Sequence, residues 1–360
     1  MSTFFVRPRA FVHPCAPFFA LFIAGGLCVP AQTTSSSDPY EVTLRLPEGG
    51  LSARQEMHLE VSVRDPRKSD PVMGAMPVVH AQLNAVIDMP SMAGMPKIAE
   101  LAHPEGIPGD YGLHPVFVHG GTFRMRLGIT PPGQPEFTRE FALEVGDARP
   151  LSGKQTPSYK LEMEGKQDDL TFKIISLKEL EKGQVKEFDI AHEKKLHLIA
   201  IRRDRQVFLH LHPEPSADGS FRLQFAWPAG GDYMLFADTA PRGKGSQVTT
   251  GKLKVKGPSA APPAVSPLKL TVGPLPKVGR TGVLELKLTP ALPLEPYLGA
   301  MGHLIILHED GETLVHSHPA DESSAEKFLV RLPKAGKYQA WLEVQSGGKV
   351  IPTAFALEAQ

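Results

Sequence analysis

Six histidines recur in this chain as two copies of one pattern. His197, His210 and His212 stand in HLIAIRRDRQVFLHLHP, and His303, His316 and His318 in HLIILHEDGETLVHSHP. The first histidine is 13 and 15 residues from the other two in both copies, and both copies end in His-x-His-Pro. Imidazole presents a nitrogen lone pair that suits copper and zinc, so a triad at one repeated spacing points to metal ligation. The competing reading is packing. Ile305, Leu307 and Leu314 share the His face in one copy, and Ile199, Ile201 and Phe208 in the other. That pattern also fits the inward face of a β-sandwich with histidines bonded to backbone at its rim.

Each copy reads as two short apolar strands about a polar turn, and Asp310-Gly311 is a strong hairpin signal. With these two as the loop residues, paired numbers sum to 621, which sets His303 opposite His318 and puts His316 on the diagonal. Residues opposite one another, or two apart on a strand, share a face. The three imidazoles then converge at the open end of the hairpin, with Cβ atoms about 5–8 Å apart. Met301 joins that face as a fourth ligand if the strand extends back to it. Lys195 replaces Met301 in the first copy. The second copy is therefore expected to hold the ion and the first to be a weaker or vestigial site.

The elements that position these residues are strands. The chain carries 35 prolines and 33 glycines with 7% aromatic residues, and amphipathic helical patterning is nearly absent. Leu177–Gln184 is the best short helical candidate. The expected class is all-β, three tandem antiparallel β-sandwiches of immunoglobulin-like type, the last two an internal repeat. Residues 1–31 read as an export signal: Arg7 and Arg9, an apolar core from Ala16 to Leu27, then Val29-Pro30-Ala31 before cleavage near Ala31-Gln32. The expected location is periplasmic or secreted, with no transmembrane segment in the mature chain. Cys15 and Cys28, the only two cysteines, fall inside that signal, which leaves no disulfide and no thiolate ligand. The remaining chain has 37 basic and 39 acidic residues, a balance that gives no reason to expect nucleic acid as a partner.

Composition marks the joints. Asp147–Ser158 and the stretch GPSAAPPAVSP from Gly257 to Pro267 are linkers. They leave units at residues 38–147, 158–257 and 268–360. Unit one carries MPSMAGMP, with Met89, Met92 and Met95 at three-residue spacing. Thioethers on a proline- and glycine-broken loop suit Cu(I), because soft ligands select soft metals; adaptable core filling is the alternative. His80, His103, His114 and His119 lie in the same unit. The MPSMAGMP segment, Gly109-Asp110-Tyr111 and the Gly120-Gly121-Thr122-Phe123 lead into a strand together resemble the YtkA-like domain, related to FixH-type proteins. The resemblance implies an immunoglobulin-like sandwich and a copper-associated or respiratory-assembly setting, and it covers this unit alone.

Units two and three agree beyond the hairpin. Each continues to a Gly-x-Tyr strand, Gly231-Asp232-Tyr233 and Gly336-Lys337-Tyr338, preceded by Pro228 and Pro333. YLGAMGH followed by HSHP resembles a recurring module of exported bacterial proteins found near heavy-metal-binding domains. No phosphate-cradling glycine loop, nucleophile elbow or HExxH motif appears. The chain therefore reads as an exported, non-enzymatic binder of copper, with zinc as the alternative ion and another periplasmic or membrane protein as the partner class. A purely structural array of sandwiches is the second reading, and a copper redox enzyme the third.

Overall fold

The computed structural model describes residues 28–30, 39–47, 49–70, 74–92, 94–147, 158–178, 181–191, 193–242, 244–260, 266–320 and 323–360. The segment expected to be an export signal lies outside these residues save for Cys28–Pro30, a strand pairing with Thr43–Arg45. Residues 148–157 of the first linker and 261–265 of the second fall outside them as well. The described residues form strands and turns without an α-helix. Leu177–Gln184 is no exception: Gly183–Gln184 pairs as a strand with Ile175–Ser176. Propensity over one short window yields there to an available sheet edge.

Each unit is two sheets face to face. In unit one, Glu41–Arg45, Leu59–Asp70 and Asp110–Leu113 run through one sheet, and Phe137–Gly146, Gly121–Thr130 and Gln82–Asp88 through the other. Alternation decides which side faces in: Phe123, Met125, Leu127 and Ile129 are buried while their neighbours are half-buried. In units two and three the four-stranded sheet has one order. The return strand of the His hairpin (Phe208–Leu211 or Leu314–Ser317) flanks its first strand (Leu196–Arg202 or His303–His308). Next come the Gly-x-Tyr strand (Gly231–Thr239 or Gly336–Ser346) and the closing strand (Gln247–Val255 or Lys349–Ala359).

The shared Gly-x-Tyr has a local cause. Gly231 and Gly336 have φ of 146° and 126°, open to glycine and strained for any side chain. Two residues on, the Tyr233 hydroxyl donates to the Ala229 carbonyl (2.8 Å) and Tyr338 to Lys334 (2.6 Å). Each tyrosine thus pins the turn four residues upstream, as tyrosine corners do in sandwich domains.

The hairpin register is the expected one. Ile305 pairs with His316 and Leu304 with Ser317, and in the first copy Ile199 with His210. The loop is longer than two residues, however. His308 N–H bonds the Thr313 carbonyl at 3.0 Å, closing a four-residue turn centred on Asp310-Gly311. A longer loop with the same centre leaves the register unchanged.

The His face is not the inward face of a sandwich. Leu304 and Ile306 point into the core of unit three, and Leu198 and Ala200 into that of unit two. The other side of each hairpin packs against the other repeat. Ile199, Ile201 and Phe236 of unit two and Ile305, Leu307 and Trp341 of unit three form one cluster, with Phe208 stacked on Trp341 at 4.8 Å. Every residue of Leu196–Arg202 and of His303–His308 is consequently buried. An antiparallel strand is buried on both sides only when a second layer covers it. Trp341 is 4% exposed at the centre of this cluster. Trp341→Ala should lower unfolding free energy by about 3–5 kcal/mol, measured by urea titration. A loss within the scatter of a surface substitution would mean that the repeats do not pack through this face.

Candidate metal centre

The pairing of the repeats brings both histidine triads into one chamber. His197 and His303 sit at the start of each hairpin, and each donates through Nε2 to a carbonyl six residues upstream, Ala191 (2.9 Å) or Tyr297 (2.8 Å). That bond fixes the tautomer and leaves Nδ1 as a lone pair. The His210 ring reaches across to Glu343 of the other repeat, Nδ1 to Oε2 at 2.7 Å. The His316 ring reaches back to Asp238, Nδ1 to Oδ2 at 3.0 Å. These two contacts are the same contact seen twice. Asp238 pairs with His197 across the sheet, and Glu343 pairs with His303. Each triad thus takes its supporting carboxylate from the opposite repeat, an arrangement of two-fold character. The Asp238 and Glu343 side chains are 6% and 8% exposed, those of His316 and His210 4% and 1%.

Within the first triad, Nδ1 of His197, Nε2 of His210 and Nε2 of His212 form a triangle with edges of 3.0, 3.2 and 3.2 Å. Each ring nitrogen carries either a proton or an in-plane lone pair. Three such atoms in mutual contact cannot alternate, so at least one edge sets like against like. A single cation at the centre resolves all three edges. Three nitrogens about 2.0–2.1 Å from a tetrahedral metal lie about 3.3 Å apart, close to what is observed. The second triad is built the same way. His318 Nε2 is 3.0 Å from His303 Nδ1. His316 Nε2 is buried without a hydrogen-bond partner, and the three donor atoms lie within 4.8 Å of one another. Across the chamber the rings of His210 and His303 are 5.4 Å apart, and those of His197 and His316 5.6 Å.

Burial in the chamber disfavours charge on four of the rings. Burial first, then repulsion from neighbouring rings, pushes His197 down to about 4 and His212 to about 3, with His210 and His303 well below the usual range. Burial pushes the Glu343 carboxyl up to about 8. Burial also acts to raise Asp238, but the His316 hydrogen bond and neighbouring donors outweigh it and hold Asp238 below its ordinary value. Neutral imidazole is the ligating form, so these four rings are ready for metal without proton loss.

The structure assembles all six predicted histidines and treats the remaining candidates differently. Met301 packs against the core of unit three. Lys195, its counterpart, lines a cleft beside Arg242. Nothing in the donor geometry makes the first triad the lesser one. Met89 and Met95 pack against the core of unit one, Met89 lying over Gly121, while Met92 is 50% exposed. Sequence reasoning passed over Asp238 and Glu343. Their signal was present, since each follows the glycine of Gly-x-Tyr by seven residues.

No curated protein matches the chain. Among solved structures it is similar to the tetra-tandem repeat in the extending region of a large adhesion protein (11% identity, 86% of this chain and 71% of that one, TM-score 0.21). It is also similar to a two-domain fibronectin type-III segment of chicken tenascin (16%, 56% and 99%, TM-score 0.19) and to the FN1–FN3 domains of chicken CNTN1 (9%, 88% and 97%, TM-score 0.20). At such scores these likenesses carry no argument, and the sandwich assignment stands on the strand pairing. Residues 156–256 and 266–360 each match the profile of the domain of unknown function DUF8832. These two stretches are the paired repeats, they make up more than half of the sequence, and the chain belongs to the DUF8832 family.

Proposed function

We propose that this chain is an exported metal-binding protein whose two histidine triads each hold one copper ion. The observation that carries the reading is the nitrogen triangle of His197, His210 and His212, which no placement of protons satisfies. The partnerless Nε2 of buried His316 repeats the point in the second triad, because an unmet buried polar atom costs free energy that a ligand would recover. Three imidazoles without thiolate favour Cu(II) over Zn(II) in affinity order, and zinc fits the same donors as the alternative ion. Copper chaperoning, resistance or delivery is the role such a centre suits. The export signal and the resemblance of unit one to YtkA-like modules agree with that setting, and Met92 offers an exposed sulfur for Cu(I). A purely structural array of sandwiches is the competing reading, favoured by the apolar face joining the repeats.

Metal counting separates the two. Metal-free protein should take up one copper per triad, and His212→Ala and His318→Ala should each remove one equivalent while far-ultraviolet circular dichroism stays unchanged. Identical and negligible copper in wild type and both variants would leave the histidines as packing residues.

A further inference from the structure

A third group of ligand-type side chains lies in unit one, around His103 and His114. The His103 ring donates from Nδ1 to the Pro104 carbonyl (3.1 Å), which leaves its Nε2 as a lone pair 2.9 Å from His114 Nε2. Glu105 Oε1 is 3.9 Å from that His103 nitrogen and 2.9 Å from His58 Nε2. The three rings form one stack, with His114 5.0 Å from His58 and 5.1 Å from His103. Donor atoms of His58, Glu105 and His114 all lie within 4.8 Å of one another. The residues reach this geometry from three separate segments, and Gly112 makes room for it. A Cβ at Gly112 would sit 2.1 Å from Glu105 Oε1 and 2.8 Å from the His103 ring. Three nitrogens and a carboxylate are a donor set for Cu(II) or Zn(II). Arg331 of unit three, which lines the adjoining cavity, is ion-paired with Glu56.

The position of this group matters as much as its composition. His58 faces solvent with 47% of its side chain exposed. Behind it, His103, Glu105 and His114 line a cavity of about 190 Å³ together with Asp238 and His316. Asp238 is the carboxylate that supports His316, and it also accepts from the Ser246 hydroxyl at 2.7 Å. Gly106, next to Glu105, lies against both: a Cβ there would be 2.6 Å from Ser246 Oγ and 3.2 Å from Asp238 Oδ2. The cavity thus joins ligands of this group to His316 of the second triad, with both acids in its wall.

We propose that His58, His103, Glu105 and His114 form a third metal site, which receives the ion from solvent and passes it along this cavity to the paired triads. The loading role rests on the reading of the triads as metal sites; the third site itself does not. Acidic, water-lined approaches raise local cation concentration and on-rates.

The test uses the full mature chain, stripped of metal, with Cu(II) in a weakly chelating buffer as the probe. Copper stoichiometry is read at equilibrium, and loading of the triads by quenching of Trp341, which lies at the interface beside them. Wild type should bind three equivalents, one per ligand group. His103→Ala/His114→Ala should bind two, and should load the triads slower by about tenfold or more. His103→Gln/His114→Gln, which keeps side-chain volume, guards against misfolding and should behave alike. Two equivalents in wild type overturn the third site while leaving the triads intact, and unchanged loading in both double variants overturns its loading role. No copper in wild type overturns this proposal together with the reading on which its loading role rests.

Discussion

Filling the two triads of the metal-free protein with Cu(II) should raise its unfolding free energy by about 8 kcal/mol. A ligand held a thousandfold above its dissociation constant stabilises the folded state by about 4 kcal/mol per site, provided the unfolded chain does not compete. Two triads built alike double the figure. The gain should fall by about half in His318→Ala or in His212→Ala. Differential scanning calorimetry with and without copper reads the effect directly. Because both triads sit on the same interface, the repeats should unfold in one transition when loaded. A melting temperature indifferent to copper would sink the centre, since an ion held by three side chains that only folding brings together cannot leave stability untouched.

Without metal the same chamber should make the protein labile to mild acid. In the unfolded chain His197 titrates near 6.5, whereas burial lowers the folded ring to about 4. Between those values the unfolded state binds the extra proton, so stability falls as pH drops through that window. For His197 alone the loss approaches about 3 kcal/mol by pH 4, at about 1.4 kcal/mol for each unit of depression. The ring is 1% exposed, so solvent screening does little to reduce the figure. His210, His212 and His303 act in the same direction. Urea midpoints of metal-free protein at pH 7, 6, 5 and 4.5 should decline steadily. Copper at saturation should blunt the decline by holding the lone pairs. A flat profile in metal-free protein would mean that the rings are solvated and the repeats stand apart.

The hairpin register was readable because two copies share one spacing and one of them carries Asp310-Gly311 at its centre. A symmetric loop of any length about that point gives the same partners, which is why the loop length could be misjudged without moving a histidine. The strands of unit one were readable from alternation, as in Gly121–Thr130. The destination of the His face was not. Ile305 and Leu307 are apolar whether they meet the opposite sheet of their own sandwich or a second domain, and local pattern does not distinguish these. For the same reason Asp238 and Glu343 looked ordinary: a carboxylate at a strand position opposite a histidine gains meaning only when a ring from another unit arrives. His58 and Glu105 stand in different segments of unit one, with no spacing that links them to His114. Met301 seemed a ligand by proximity in sequence, but its long apolar side chain finds more contact in the core of unit three.

The exchange of carboxylates between the repeats is the geometry of a homodimer written into one polypeptide. In a true homodimer every substitution appears on both sides of the axis, and the two sites must stay identical. Fusion removes that constraint. The two halves have used the freedom: Asp238 answers to Glu343, Phe236 to Trp341, and Phe208 to Leu314. One acid is held below its ordinary value and the other pushed up to about 8. On the proposed reading, copper entering the first triad would release a proton from Glu343 near neutral pH, while the second triad, backed by a carboxylate already ionised, would release none.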